Sequence, residues 1–242
     1  LTSRQTTDIR TWIEQGGNLL WLTEPGEERG LTPLAEQLGI EFLSGTVVDV
    51  TSQLFGVSNP NIIVVTGYPN HPVTREMTAV TVFPEAAALE FRDNGTWQPT
   101  PLLSTLNRSW TEIGELVGEI QFDADSDERA GPLELGIALS RSLPADPAGG
   151  EPREQRIVVI GDGDFLSNTY LGNGSNLDIG INLVNWLSHD DQLIAISPKP
   201  APDTRLELSP QAQMAIAVFF LLLLPVGLLA SGLRVWLQRR KR

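Results

Sequence analysis

The sequence predicts an α/β domain with an open, mostly parallel sheet, followed by one C-terminal transmembrane helix. Helix-like and strand-like segments alternate along residues 1–197, which is the pattern of α/β domains. Residues 214–233 form an uncharged run of 20 residues, long enough to cross a bilayer as a helix. We therefore expect a proline-rich stem over 198–213 and a basic tail over 234–242.

The first half of the domain supplies two helices and three strands. Ile9, Trp12 and Ile13 fall at helical spacing, and the Gly16-Gly17 pair predicts the end of that helix. The apolar run from Asn18 to Thr23 is typical of a buried parallel strand. The pattern also predicts a helix over 31–40 and strands over 46–50 and 62–66.

In the second half of the domain, clear helix and strand patterns occur only towards the end. Acidic and turn-forming residues over 122–132 indicate a loop, and Pro144 to Gln155 has the composition of a linker. The segment RIVVIGDGDFLSN, Arg156 to Asn168, then predicts a buried strand that ends in a Gly-Asp-Gly-Asp turn. The remaining elements expected here are strands over 102–105, 133–142 and 192–197 and a helix over 176–188.

The turn after that strand is the candidate site. Ligands gather at strand ends in α/β sheets, and Asp162, Asp164 and Asn168 could together bind a small ligand or a carbohydrate. A calcium loop needs further oxygen ligands at fixed spacing, and none follows in register. The alternative is structural, because glycine permits a sharp turn and an aspartate caps the following helix. We favour this second interpretation and expect no metal, no cofactor and no catalytic residue here.

The common catalytic arrangements lack their sequence signals. Without cysteine the sequence has no disulfide, no thiolate metal site and no cysteine nucleophile. The turn contains no G-x-S-x-G serine, and no glycine-rich phosphate loop occurs. His71 is expected in a turn and His189 at a helix C-terminus. A hydrolase that uses either histidine would need a Ser or Asp beside it in a cleft.

Charge is distributed unevenly along the chain. Residues 1–233 hold 12 of the 17 basic residues and all 30 acidic ones, a formal charge of −18, whereas the last nine residues carry +5. This argues against a nucleic-acid partner, which requires clustered Lys and Arg. Basic residues directly after an apolar span favour the cytoplasmic side, with Trp236 at the membrane interface.

We therefore expect a single-pass protein of the cytoplasmic membrane, with an acidic periplasmic body and a cytoplasmic C-terminus. The sequence begins with Leu and opens directly into a helical pattern, with no signal peptide. We expect that the start of the protein is missing.

Several segments, taken in order, resemble the gliding-motility-type auxiliary proteins of ABC transporter systems. They are WIEQGGNLLWLTEPG, PNHPVTREMTAVTVFPEAAALE, PLLSTLNRSW, GPLELGIALSR, RIVVIGDGDFLSN and GNGSNLDIGINLVNWLSHDDQLIAISPK, followed by the apolar span and RRKR. The resemblance implies a Rossmann-like domain similar to class I glutamine amidotransferases, whose nucleophilic cysteine is absent here. It also implies a non-enzymatic auxiliary subunit in the lipid bilayer, beside a permease and an ATPase on separate chains.

Overall fold

A computed structural model of the protein describes residues 1–26, 30–57, 59–114, 116–117, 120–144, 153–191 and 210–240. These residues divide into two units, Leu1–Pro198 and Lys199–Arg242. The described part of the first unit has helices α1 (Ser3–Glu14), α2 (Thr32–Leu38) and α3 (Asn176–Leu187). Its strands are β1 (Leu19–Leu22), β2 (Ile40–Phe42), β3 (Thr46–Asp49), β4 (Ile62–Val65), β5 (Thr81–Pro84), β6 (Leu89–Phe91), β7 (Gln98–Ser104), β8 (Ser109–Glu112), β9 (Glu134–Leu143) and β10 (Arg153–Ile160).

The main sheet is mixed, with the order β1-β10-β9-β6-β2 and with β7 also paired to β9. Within the described residues only β1 and β10 are parallel, and the other pairs of this sheet are antiparallel. Two further antiparallel pairs, β3–β8 and β4–β5, lie outside it. The prediction of a mostly parallel sheet is therefore wrong.

The cause of this error lies in the central hairpin β9–β10. Residues 135–139 of β9 and 157–160 of β10 are buried on both faces, and these stretches are apolar runs, which is typical of parallel strands. A parallel connection needs a crossover of about a dozen residues or more, usually a helix. The connection after Leu143 ends at Arg153 and is too short for that, so the strands pair antiparallel.

Alternate residues of β10 enter two different cores, one on each face of the sheet. Ile157 and Val159 lie in the core that includes α1 and α2, through Ile13, Leu34 and Leu38. Val158 and Ile160 lie in the core that includes β4, β5 and α3, through Ile63, Phe83, Ile179, Leu183 and Trp186. The sheet is thus the middle layer of the unit, and the end of β10 lies between its two cores.

A buried glutamine ties the start of the chain to this central hairpin. Gln155 Nε2 donates hydrogen bonds to the carbonyl oxygens of Ile13 (2.8 Å) and Gly17 (2.6 Å). Its Oε1 accepts from Arg141 Nε at 2.7 Å. These bonds join the last turn of α1, at Ile13, and the loop that follows it, at Gly17, to β10. They fix the turn that leads from α1 into β1.

Most predicted elements of this unit are confirmed within one to four residues at their ends. One boundary needs correction, because Arg153–Gln155 belong to β10 and not to a linker. Residues 210–213 of the expected stem are helical. The predicted strand over 192–197 lies outside the described residues. Strands β2, β5, β6 and β8 were not predicted.

The described part of the second unit is helical throughout. Helix α4 (Pro210–Val218) continues through a π-helical turn, Phe219–Leu223, into α5 (Leu224–Arg240). The wider turn directly precedes Pro225, whose ring lacks the N–H that a regular helix requires. Ile216–Arg240, with 25 residues and an apolar stretch whose mean hydropathy is 2.5, is the one helix among the described residues long and apolar enough to cross a membrane.

Candidate functional site

The turn at the end of β10 begins at Gly161, which is held between two neighbouring segments. Its N–H donates to the carbonyl oxygen of Leu135 at 2.8 Å, and its carbonyl oxygen accepts from the N–H of Ala87 at 2.6 Å. A Cβ atom at position 161 would overlap the carbonyl oxygen of Ala87. The glycine therefore permits the close approach of two backbones at the site.

Replacing Gly161 by Ala is expected to lower the free energy of unfolding by about 1–3 kcal/mol, because backbone must move to admit the methyl group. Urea unfolding followed by tryptophan fluorescence measures this. Gly172→Ala is the matched control, since a Cβ at that position meets nothing within 4 Å. An equal decrease in the free energy of unfolding for Gly161→Ala and Gly172→Ala would contradict the steric explanation.

Asp162 follows Gly161 and is fully buried, with an exposed fraction of 0%. Its Oδ1 accepts hydrogen bonds from the N–H groups of Asp164 (2.6 Å) and Phe165 (3.2 Å). These bonds hold the first two N–H groups of the short 3-10 helix Asp164–Leu166 from the position before Gly163, the residue that immediately precedes this helix. The second oxygen, Oδ2, is buried and meets no hydrogen-bond donor among the described residues.

A second carboxylate reaches the turn from β1. Glu24 follows the end of β1, and its Oε1 accepts a hydrogen bond from the N–H of Gly163 at 2.9 Å. Because β1 and β10 are parallel, their carboxyl ends lie side by side, and residues after the two strands can meet. Glu24 and Asp162 therefore hold consecutive N–H groups of one turn, those of Gly163 and Asp164.

A third acidic residue, Glu85, follows β5 in an uncommon backbone conformation. Its φ of 55° lies in the left-handed region, which costs a residue with a Cβ of the order of 1 kcal/mol. Asn61 holds it there: the N–H of Glu85 donates to the Asn61 carbonyl oxygen at 2.9 Å, and Asn61 Nδ2 donates to Glu85 Oε1 at 3.3 Å. We call Glu24, Glu85 and Asp164 the acidic rim.

Burial and like charges raise the pKa values of two carboxyl groups here. Burial raises the pKa of Asp162 to about 8, the charge of Glu24 adds to this, and the N–H groups of Asp164 and Phe165 oppose it. Burial also raises the pKa of Glu24, with repulsion from Asp164 and Glu85, against the hydrogen bond from Gly163. Asp162 is therefore largely protonated at neutral pH.

The three candidate residues from the sequence do not form one exposed surface. Asp162 is buried, whereas Asp164 and Asn168 are exposed. None of the hydrogen bonds of the described residues joins Asn168 to either aspartate. In the described part of the chain, no three His, Cys, Asp or Glu side chains are arranged to hold a metal ion.

Sequence reasoning missed Glu24 and Glu85. A signal for Glu24 was present, because an acidic residue directly after one predicted strand is expected near the end of a parallel neighbour. No local signal identifies Glu85, since its position depends on the pairing of β4 with β5 and on the side chain of Asn61.

The two histidines have structural contacts. His71 lies in a turn, and its Nδ1 accepts a hydrogen bond from the N–H of Val73 at 3.2 Å. Its ring packs edge-on against that of Trp186, with 4.7 Å between the ring centroids. Burial, followed by the nearby charge of Arg156, lowers the pKa of His71 to about 4. His189 follows α3, and its Nε2 lies 3.1 Å from Asn18 Nδ2. Among the described residues, no Ser hydroxyl or Asp carboxylate is hydrogen-bonded to either imidazole.

Comparison with known proteins identifies the family of this chain. The family described as "ABC-type uncharacterized transport system" matches residues 1–188, from α1 through α3 and including the whole turn. The chain belongs to this family. It is accordingly an auxiliary component of an ABC-type transport system. No curated protein matches the chain.

The fold of this family member also occurs in a solved structure described as "mmIFT52 N-terminal domain". The two are 19% identical, with a TM-score of 0.53, and the alignment covers 78% of this chain and 72% of the other. At that identity the likeness shows a shared fold and nothing about partners or ligands.

Proposed function

We propose that the protein is a membrane-anchored, non-enzymatic auxiliary subunit that acts beside a separate permease and ATPase through its α/β unit outside the cytoplasm. The family match over residues 1–188 carries this proposal. The apolar helix Ile216–Arg240 supports the anchor. The resemblance to gliding-motility-type auxiliary proteins supports the non-enzymatic role. A small-ligand or carbohydrate-binding module has less support, because the buried Asp162 cannot touch a ligand directly.

Co-purification tests the association with a transporter. The full chain, tagged at its C-terminus and extracted in a mild detergent, is expected to bring down a permease and an ATPase in fixed proportions. A variant that lacks residues 1–188 and keeps the apolar helix is the control for trapping in shared micelles. Recovery of neither partner with the full chain, from membranes that yield other transporters intact, would contradict the proposal.

The basic tail is expected to set the orientation of the anchor, because Lys and Arg beside a span are retained on the cytoplasmic side. Replacing its five basic residues by Gln should shift part of the population to the opposite orientation. Fluorescent-protein and alkaline-phosphatase fusions at the C-terminus measure this: the first should lose signal and the second should gain it. Five Gln substitutions of exposed polar residues on α1 are the matched control.

A further inference from the structure

We propose that a hard metal cation such as Ca²⁺ or Na⁺ binds to four side chains that lie between the end of β3 and the start of β4. These side chains, which we call the oxygen cluster, are those of Asp49, Thr51, Ser52 and Asn61. The site is separate from the turn after β10. It goes beyond the proposed function, because an ion at this position stabilises the α/β unit whether or not the unit meets a transporter.

Buried oxygen atoms without partners are concentrated in this segment. In the described part of the chain, six buried side-chain oxygens have no hydrogen-bond partner. Four of the six belong to the oxygen cluster: Asp49 Oδ2, Thr51 Oγ1, Ser52 Oγ and Asn61 Oδ1. Asp49 and Ser52 are each 1% exposed, and Asn61 is 7% exposed. Because native proteins rarely bury polar atoms without partners, four such atoms together indicate a ligand that the chain itself does not supply.

A backbone hydrogen bond joins the two parts of the oxygen cluster. The N–H of Asp49, the last residue of β3, donates to the carbonyl oxygen of Pro60 at 2.9 Å. Asn61 directly follows Pro60, and β4 begins at the next residue. Since side chains alternate along a strand, Asp49 lies on the same face of β3 as Val47, which shares a core with Ile63 of β4. Asp49 and Asn61 therefore lie at one end of the contact between β3 and β4.

The turn after β3 adds two hydroxyl groups. This turn is the 3-10 helix Val50–Phe55, which packs against β4. Asp49 Oδ1 accepts a hydrogen bond from the N–H of Thr51 at 2.7 Å, which holds the carboxylate beside the first residues of the turn. The other carboxylate oxygen, Oδ2, is not used by this bond. The oxygen cluster thus offers one carboxylate oxygen, two hydroxyl oxygens and one amide oxygen.

The sequence around Asp49 provides no counterion for its carboxylate. Residues 50–74 contain no Lys, Arg, Asp or Glu. The ion pairs of the described residues involve other carboxylates, those of Glu41, Glu76, Glu154 and Asp191. Burying a carboxylate is unfavourable unless a cation or several hydrogen-bond donors balance it. The single hydrogen bond from Thr51 balances it only in part.

A hard cation satisfies these oxygens better than a water molecule does. One water has two hydrogens, so it satisfies at most two of the four acceptors and leaves the charge of Asp49 unbalanced. Ca²⁺ takes about six to eight oxygen ligands, which include carboxylates, amide oxygens, backbone carbonyls and water, and Na⁺ matches the charge of one carboxylate. With one acidic ligand, this site differs from the clusters of three His, Cys, Asp or Glu side chains, which the described residues lack.

Thermal unfolding of the full chain in a neutral detergent tests the site, with tryptophan fluorescence as the signal. The protein is first freed of metal with a chelator and dialysed. CaCl₂, MgCl₂ and NaCl are then titrated separately, and N-methylglucamine chloride keeps the ionic strength constant. Because the ion is released on unfolding, the midpoint temperature Tm reports its binding without any need for the buried site to open in the folded protein.

We expect Ca²⁺ or Na⁺ to raise the Tm by about 3–6 °C for each tenfold increase in concentration above its Kd. The ion that does so identifies the charge that the site prefers, and Mg²⁺ should act more weakly because it requires near-octahedral geometry. Asp49→Asn should remove the rise, since the amide keeps the acceptor for Thr51 but has no charge. Without added metal, its Tm should equal or exceed that of wild type. Ser52→Ala, which removes one neutral ligand, should shift the titration to higher concentration.

Two variants control for other acidic positions. Asp162→Asn removes the buried carboxyl beside the acidic rim, and Asp125→Asn removes an exposed carboxylate from the acidic loop over 122–132. Both should keep the wild-type rise in Tm. The proposal is overturned if no cation raises the Tm beyond N-methylglucamine chloride, or if the rise persists in Asp49→Asn. Should Asp49→Asn fail to fold, an unchanged titration of Ser52→Ala overturns it instead.

Discussion

Asp162→Asn should make the protein more stable than wild type above about pH 8 and should flatten the pH dependence of its unfolding. Asn keeps the Oδ1 acceptor for the N–H groups of Asp164 and Phe165, and it has no charge to bury. In wild type, the cost of ionising a fully buried carboxyl beside Glu24 is present in the folded protein and absent in the unfolded chain.

The sign follows from the two pKa values of this group. The folded pKa, about 8, lies above the ordinary value of 3.8, so the folded protein holds the proton through that interval and the unfolded chain does not. The contribution of Asp162 to the free energy of unfolding is fully present at about pH 4 and decreases as the pH rises towards 8. Each pKa unit corresponds to about 1.4 kcal/mol, so the difference between wild type and variant should reach several kcal/mol.

Urea unfolding at a series of pH values measures this difference, with tryptophan fluorescence as the signal. Trp21, Trp97 and Trp186 are buried in the α/β unit and report on its unfolding. Asp178→Asn, on α3, is the matched control and should leave the pH profile parallel to that of wild type. Parallel profiles for Asp162→Asn as well would show that the buried carboxyl is not the titrating group.

Asn176→Ala is expected to destabilise the α/β unit by at least about 3 kcal/mol, because it leaves several buried backbone groups without partners. Asn176 is fully buried at the start of α3. Its Nδ2, which carries two hydrogens, lies within hydrogen-bond distance of three carbonyl oxygens, those of Val82 (2.9 Å), Phe165 (3.1 Å) and Tyr170 (3.1 Å). Its Oδ1 accepts from the N–H of Val82 at 2.8 Å. One side chain thus connects β5, the turn after β10 and α3.

The free energy of unfolding in urea measures the effect of Asn176→Ala. Asn173→Ala, three residues earlier at an exposed position, is the matched control and should change stability by less than about 0.5 kcal/mol. A buried leucine of α3 offers a second comparison, since Leu183→Ala removes only apolar contacts. If Asn176→Ala resembled the exposed control, the hydrogen bonds of the Asn176 side chain would not contribute to stability.

The sequence predicted individual elements better than their pairing. Hydrophobic periodicity and glycine stops locate α1 and α2, because helix formation depends mainly on neighbouring residues. Strand direction depends on which distant segment pairs with which, and the apolar runs of β9 and β10 gave no information on this. Short strands such as β2 and β6, with three residues each, have too few positions for an alternation to be recognised.

The sequence predicts the turn after β10 but not the residues that pack around it. The GDGD segment predicts a capped turn, and the structure has this turn. Whether a carboxylate points into the protein or into solvent is decided by the elements packed around it, here the backbone of Ala87 and the side chain of Glu24. That is why Asp162 and Asp164, two residues apart and of one type, have different environments.

The parallel pairing of β1 with β10 also sets an order for folding during synthesis. The N–H of Arg156 donates to Asn18 Oδ1 across 138 positions of the chain, and the β1 ladder starts at the next residue of each strand. At ordinary rates of translation, β1 therefore waits about ten seconds or more after leaving the ribosome before its partner exists. Through that interval its apolar residues, Leu19 to Leu22, have no β10 to pair with, and a nascent chain stopped before Ile160 lacks a complete partner for them.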